Sequence, residues 1–221
     1  MYFILFLSII ITMGSQLYIN LMYGKTKKIL SSTGKTGYDV ARSILDSNGL
    51  KDVKVIENSG VLTDHYDPRN KTVSLSSDIY KNSSLASVSV AAHECGHAIQ
   101  DKDGYVFLRF RSLIVPFVNI ASKLGYVVIM ISLFTSLFKL LWIGIFMELF
   151  ILFFQIITLP VEFNASSRAL KQIKDLGIVS NDEKKMCKKM LKAAALTYVA
   201  SVFAAILEIV RLVLIARERD R

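Results

Sequence analysis

Three long apolar runs constrain this chain more than any other feature of its sequence. Residues 2–22 contain no charged side chain, residues 113–161 contain three, and residues 193–215 contain two. A helix of about 20 apolar residues crosses the hydrocarbon core of a bilayer, which is ~30 Å thick. Because 52% of the 221 residues are hydrophobic, we expect a mainly α-helical membrane protein whose first partner is the lipid bilayer.

The lengths of the runs predict about four transmembrane helices. The first run is expected to stay as an N-terminal anchor, because no basic segment precedes it and no small-residue cleavage site follows it. As one helix, residues 113–161 would extend ~73 Å, so a hairpin with a turn at Phe138-Lys139-Leu140 fits better. Residues 193–215 either span the membrane or lie at its interface.

The distribution of positive charge predicts the orientation. The net charge is +9, but the basic residues flank apolar runs and do not alternate with aromatic residues, so no nucleic-acid partner is expected. Lys25, Lys27 and Lys28 directly follow the first run, and Lys139 stands alone at the hairpin turn. The positive-inside rule therefore places the polar stretches in the cytoplasm. The cysteines, Cys95 and Cys187, do not suggest a disulfide framework.

The polar stretches between the apolar runs are predicted to form a small α+β domain. Helical spacing is found in residues 36–50 and from Ser83 or Ser84 to about residue 100, and residues 53–57 and 71–76 have the composition of short strands. The predicted segments are an N-terminal transmembrane anchor (1–23), a cytoplasmic subdomain that includes both of these helices (24–112), a transmembrane hairpin (113–161), a cytoplasmic helical segment (162–192), and a C-terminal transmembrane or interfacial helix with a basic tail (193–221).

The second predicted helix carries a metal-binding pattern. His93-Glu94-Cys95-Gly96-His97 is an HExxH sequence, and residues four apart lie on the same face of a helix, where two imidazoles can bind one zinc ion. Glu94 lies at the edge of that face and can accept a proton from water. Gly96 is unfavourable inside a helix, which indicates a close neighbour. Cys95 points away from the metal face and is expected to be a small buried side chain.

Catalytic zinc normally has three protein ligands, and three residues are candidates for the third. His65 precedes the motif, Glu148 lies inside the hairpin, and Glu162 directly follows it. Glu148 is about 21 Å along a helix from Glu162 and deep in the membrane. Glu162 emerges on the side of the HExxH helix and is preferred, with His65 as the alternative. Another interpretation pairs the Glu162 carboxylate with Arg168.

These residues carry a family resemblance. The segments LTDHYDP, AAHECGHAIQ and LPVEFNASSRAL, the last after a membrane hairpin, resemble bacterial membrane-bound neutral zinc metallopeptidases of the YugP type. More distantly, the chain is similar to the HtpX and CAAX prenyl protease clan. The resemblance implies a multi-pass protein of the bacterial plasma membrane with a zincin-like domain, with one zinc ion held by His93, His97 and Glu162 and with Glu94 as the general base. The distant clan has an aspartate at the position of Ser166, so Asn164 is a candidate substitute for orienting a histidine.

The predicted reaction is zinc-dependent hydrolysis of peptide bonds in protein or peptide substrates. His65, Tyr66 and Arg168 are candidates to stabilise the oxyanion. Residues 71–76 could add a substrate strand at an open sheet edge. The alternative function is a zinc-binding membrane scaffold that does not hydrolyse, a pseudoprotease. A transporter is a weaker third interpretation, and the substrate and the oligomeric state stay open.

Overall fold

The computed structural model describes residues 2–135, 137 and 139–219. Most of these residues are helical, as predicted. In chain order the elements are α1 (Tyr2–Lys27), α2 (Gly37–Ser47), β1 (Lys54–Asn58), β2 (His65–Asp67), β3 (Thr72–Ser76), α3 (Ser77–Lys81), α4 (Leu85–Lys102), α5 (Val106–Thr135), α6 (Lys139–Asp175) and α7 (Asn181–Arg219).

The chain divides into two compact units. The apolar unit comprises Met1–Leu17, Arg109–Pro160 and Leu196–Arg221, and the polar unit comprises Tyr18–Leu108 and Val161–Ala195. Helices α1, α5, α6 and α7 are each long and apolar enough to cross a membrane. Four membrane-spanning helices therefore agree with the number predicted. The boundaries of the five predicted segments stay predictions.

The sheet of the polar unit has three strands in the order β1-β3-β2. Strand β1 pairs with β3 in parallel, and β2 pairs with β3 in the antiparallel direction. Strand β2 was missed, because strands were predicted only over residues 53–57 and 71–76. Strand β3 is central and buried, so the prediction that residues 71–76 offer an open edge to a substrate was wrong. The physical reason is that β2 covers this edge from Thr72 to Ser74.

Local sequence signals set the ends of the helices. Thr36 and Asp39 form a reciprocal capping box at the start of α2, and Gly49 follows its end with φ 72°. The side chain of Ser84 accepts a hydrogen bond from the Ser87 amide at the start of α4. Such caps satisfy amide groups that have no partner within the helix. Both helices therefore lie where the sequence predicts them.

The second predicted capping box also forms. The backbone amide of Ser180 donates to the Glu183 carboxylate at 2.7 Å, and the Glu183 amide donates to the Ser180 hydroxyl at 3.3 Å. Helix α7 begins at the next residue and continues as one helix to Arg219. The basic tail includes Arg221, which lies outside the described residues.

A continuous apolar core holds the polar unit together. Helices α2 and α4 pack against each other, and strand β3 and the polar ends of α6 and α7 complete the core. Its fully buried members include Ile44, Leu45, Leu75, Leu85 and Ile173. Burial of a leucine or isoleucine side chain contributes roughly 1.5–3 kcal/mol, so this core fixes α4 against the end of α6 that carries Glu162.

The apolar unit contains the predicted hairpin. Helix α5 ends at Thr135 and α6 begins at Lys139. The break between them therefore comes slightly before the predicted turn, because Lys139 and Leu140 are already helical, and Phe138 lies outside the described residues. A smaller core joins the start of α6 to the end of α7 through Leu141, Ile145, Leu212, Ile215 and Ala216. Many other apolar side chains of this unit are exposed, as expected for helices surrounded by lipid.

Candidate metal centre

Helix α4 brings the two histidines of the motif together. His93 and His97 are one turn apart, and their ring centroids are 4.8 Å apart with the rings nearly perpendicular. His97 is buried and His93 is half-buried. The helix therefore presents two imidazole rings on one face, as the spacing of four residues predicts.

Glu162 of α6 completes a group of three ligand atoms. Its Oε2 atom lies 3.2 Å from Nε2 of His93 and 3.7 Å from Nε2 of His97, and a ligand atom of each residue lies within 4.8 Å of the others. Ligands placed tetrahedrally at 2.0–2.2 Å from zinc are separated by about 3.3–3.6 Å. The two distances bracket this range, so two imidazoles and one carboxylate fit a catalytic zinc site.

Close packing at Gly96 allows this arrangement. A Cβ atom added at Gly96 would lie 2.5 Å from the carbonyl oxygen of Ala165, which is shorter than any ordinary contact. Ala165 belongs to α6 and lies three residues after Glu162. The absence of a side chain at Gly96 therefore lets α6 approach α4, which confirms the close neighbour predicted from the sequence.

Glu94 is a buried carboxylic acid beside this group. Its side chain belongs to a residue that is only 8% exposed, and this burial raises the pKa of Glu94 to about 7. The charge of His93 opposes the increase, whereas the negative charges of Glu162 and Asp64 favour it. A carboxylate whose pKa lies close to neutral pH can both accept and return a proton.

The ring of His97 is held by a buried polar network. Its Nδ1 lies 3.0 Å from Oε1 of Gln100, a side chain with no exposure. The Nε2 of Gln100 donates to the Val161 carbonyl oxygen at 2.8 Å and to Oδ1 of Asn164 at 3.0 Å. Asn164 was the candidate substitute for orienting a histidine. It contacts Gln100, and through Gln100 it reaches His97.

The ring of His93 is held differently. Its Nδ1 lies 3.2 Å from the hydroxyl oxygen of Ser166. Ser166 occupies the position at which the resemblance to the distant clan leads us to expect an aspartate. The serine therefore makes a contact with the histidine from that position, although as a neutral group.

The other predicted residues have different surroundings. Nδ1 of His65 contacts the Thr63 carbonyl oxygen at 2.8 Å, and the charge of His65 affects Glu94. The Tyr66 hydroxyl donates to Asp101 at 2.8 Å, and burial, followed by this hydrogen bond, raises the pKa of Tyr66. Glu148 lies in the apolar unit, and the metal-binding group found in the described part of the chain includes neither His65 nor Glu148.

Arg168 and Cys95 also have clear structural partners. Arg168 donates to Oδ1 of Asn164 at 2.7 Å and forms an ion pair with Asp103 at 2.5 Å. These contacts give Arg168 a structural role that differs from the alternative pairing with Glu162. Cys95 is fully buried and its thiol lies 3.6 Å from the Ala41 carbonyl oxygen. The prediction of a small core side chain is confirmed for Cys95.

Comparisons with known proteins agree with this geometry. Residues 1–217 match the family described as "putative neutral zinc metallopeptidase". The chain is 43% identical over 201 residues to the "putative membrane protease YugP" of Bacillus subtilis (strain 168). The aligned residues make up 91% of this chain and 89% of the relative. The chain belongs to the neutral zinc metallopeptidase family. No solved structure matches it.

In this member of the family, sequence reasoning missed two residues that contact the histidines. Gln100 lies three residues after His97 and therefore on the same face of α4, a signal that could have identified it. Ser166 was noted only as a departure from the distant clan. Its hydroxyl contact with His93 depends on the packing of α6 against α4, which no spacing within one segment reveals.

Proposed function

We propose that this chain is a zinc-dependent endopeptidase that hydrolyses peptide bonds of protein or peptide substrates at the cytoplasmic membrane face. The observation that carries the proposal is the convergence of His93, His97 and Glu162 on one point, with the buried Glu94 on the same helix as the two histidines. His93, His97 and Glu162 provide the imidazole nitrogen and carboxylate oxygen atoms that bind catalytic zinc.

The roles follow from the chemistry of each side chain. His93, His97 and Glu162 would hold the zinc ion, which when bound supplies Lewis-acid polarisation of the scissile carbonyl group and of water. Glu94 accepts a proton from the attacking water and later transfers it to the leaving amine. Gln100 and Ser166 orient the two imidazole rings, so that Nε2 of each points to the metal position.

His65 is the best candidate for stabilising the oxyanion. Its Nδ1 is oriented by the Thr63 carbonyl oxygen, and its side chain is exposed and thus accessible to a substrate. By contrast, Tyr66 and Arg168 form hydrogen bonds with Asp101 and Asp103. We expect His65→Gln to lower kcat by about 10²-fold without loss of zinc, and an unchanged kcat would exclude this role.

The cytoplasmic position rests on the lysines at the end of α1 and directly after it, and on the few charges at the hairpin turn. It can be tested with thiol labelling from outside the cell, because both native cysteines are buried. A cysteine introduced at Lys51 should be labelled only after the membrane is opened. Labelling of intact cells would place the polar unit outside.

The decisive experiment compares wild type with Glu94→Gln. Purified full-length protein in detergent is assayed for zinc content and for casein cleavage. We expect Glu94→Gln to keep zinc but to lower kcat by about 10²–10⁴-fold. The matched control is Glu57→Gln, which removes a carboxylate of the same unit that pairs with Lys81 at 2.6 Å. Cleavage unaffected by Glu94→Gln would refute the mechanism, and zinc without any cleavage would favour the scaffold function.

A further inference from the structure

A second feature of the polar unit is a groove between α6 and α7. It has a volume of about 660 Å³, within the range of ligand-binding pockets. The residues that line it lie on the last part of α6 and the first part of α7, which residues 176–180 connect. Its apolar surface is formed by Phe163, Leu170, Leu191 and Ala195.

Five lysines line this groove. Lys184, Lys188 and Lys192 follow one another at intervals of four residues along α7, and α6 contributes Lys171 and Lys174. Residues four apart lie on one face of a helix, so the three ammonium groups of α7 lie along one side. The only acidic residue that lines the groove in the described part of the chain is Asp175. The groove therefore has a strongly positive rim.

These lysines have no carboxylate partners. In the described residues, the lysines that form ion pairs are Lys27, Lys71, Lys81 and Lys185, and none of them lines the groove. Five ammonium groups around one concave surface repel one another, which disfavours the compact arrangement. An anionic ligand would remove this cost, so the groove is electrostatically complementary to a negatively charged molecule.

The position of the groove in the sequence indicates the chemical nature of that molecule. Both helices that form it are candidate membrane spans. Phe163 follows the apolar run that ends at Val161, and Lys192 directly precedes the apolar run that begins at Ala193. Basic clusters next to membrane-spanning helices attract anionic lipid head groups. A lipid also has acyl chains, which suit the apolar surface at Phe163 and Ala195.

We propose that this groove binds an anionic phospholipid. The lysines of α6 and α7 bind the phosphate group, and the apolar side chains contact the first part of an acyl chain. Ser166 also lines the groove and contacts His93, so the groove adjoins the candidate metal centre, but lipid binding does not depend on the proposed function. A soluble phosphate ester would use the lysines but not the apolar surface, and an acidic peptide would be recognised mainly by its charge.

Native mass spectrometry of the full-length protein in detergent tests the proposal. Dioleoyl phosphatidylglycerol and dioleoyl phosphatidylcholine are titrated separately. We expect wild type to bind phosphatidylglycerol at least tenfold more tightly. In Lys188→Gln/Lys192→Gln this affinity should fall roughly tenfold to thirtyfold, because each lysine near a membrane surface contributes a factor of about five.

The matched control is Lys185→Gln/Lys189→Gln. It removes the same charge from the same helix at the same spacing, but neither residue lines the groove, so the affinity should change less than twofold. Equal binding of the two lipids, or equal loss in both variants, would overturn the proposal. Displacement of phosphatidylglycerol by glycerol 3-phosphate would instead indicate a soluble phosphate ester, and displacement by octaglutamate an acidic segment; either result would contradict a lipid. Zinc content of each variant verifies folding.

Discussion

The two units place their apolar side chains in opposite ways. In the polar unit, Ile44 and Leu85 are fully buried, whereas in the apolar unit Phe6, Phe117 and Phe146 are 62%, 61% and 73% exposed. The hydrophobic effect stabilises a core that excludes water, but it does not drive helices together inside a bilayer. The polar unit therefore derives its stability from burial, whereas the apolar unit is adapted to lipid.

The side-chain hydrogen bonds of the two units also differ, in the sequence separation of the residues that they join. In the polar unit the side chain of Gln100 reaches the backbone of Val161, 61 residues away. In the apolar unit Ser8 bonds to the Leu5 carbonyl oxygen, and Arg211 pairs with Glu208 three residues earlier. A substitution within the Gln100 network should therefore affect the metal centre, whereas a polar substitution in the apolar unit should have only local effects.

The largest effect is expected for a pair of substitutions on α6. Glu162→Gln keeps the shape of the side chain but removes the charged oxygen of the metal-binding group. Zinc affinity should therefore fall more than ~100-fold, which is more than the loss caused by replacing a residue that only hydrogen-bonds to a metal ligand. Glu148→Gln changes the same residue type fourteen positions earlier, in the apolar unit, and should keep zinc. Competition with a chelator measures both affinities.

The opposite result would reassign the third ligand. If Glu148→Gln lost zinc and Glu162→Gln kept it, the contacts of Glu162 with His93 and His97 would be structural. If neither variant lost zinc, His65 would be the next candidate, and His65→Ala would then have to lower the affinity. Circular dichroism of each variant excludes loss of helical structure as the cause.

A second pair of substitutions compares two glutamines. Gln100→Leu leaves the Val161 carbonyl oxygen and Nδ1 of His97 without their partner, so zinc affinity should fall about 10–100-fold. Gln155 of the apolar unit has a buried Oε1 atom for which the described residues provide no hydrogen-bond partner. Gln155→Leu should therefore keep zinc and maintain or raise the melting temperature. Equal zinc affinity of the two variants would show that the network around Gln100 does not support the site.

A third pair compares two glycines within helices. Gly96→Ala forces a Cβ atom against the backbone of Ala165, which cannot be relieved by rotating a side chain, so the free energy of unfolding should fall by about 1–3 kcal/mol. Gly14→Ala in α1 meets no neighbouring atom within 4 Å and should not destabilise. Thermal denaturation in detergent provides the measurement. A destabilisation shared by both variants would point to a general sensitivity to alanine.

The success of prediction from the sequence also differs between the two units. In the apolar unit, length and hydropathy alone predicted the helices and a turn close to the observed one, because each span depends on its own composition. In the polar unit, the caps at Thr36, Ser84 and Ser180 and the HExxH helix were predictable, because each depends on residues close in sequence.

The features that sequence reasoning missed are long-range. Strand β2 lies among turn-forming residues, and its pairing with β3 makes β3 a central strand, which no local pattern indicates. In the same way, the sequence predicts Glu162 on the same side of the membrane as the HExxH helix, but its distance from His93 depends on the contact of α6 with Gly96. Tertiary packing decided these points, and local propensity did not.

The smallest expected effect concerns Ser166, the weaker of the two contacts that orient the histidines. Ser166→Ala removes a neutral hydroxyl at 3.2 Å from His93, in a half-buried position that water can reach, so zinc affinity should fall by about tenfold or less. Ser166→Asp would place a carboxylate against Nδ1 of the same ring, which favours the tautomer with Nε2 available to a metal. Affinity should therefore equal or exceed that of wild type. Because alanine and aspartate remove the same hydroxyl, a loss of equal size in both would show that the hydroxyl itself matters, whereas opposite changes would show that the position acts by orienting His93.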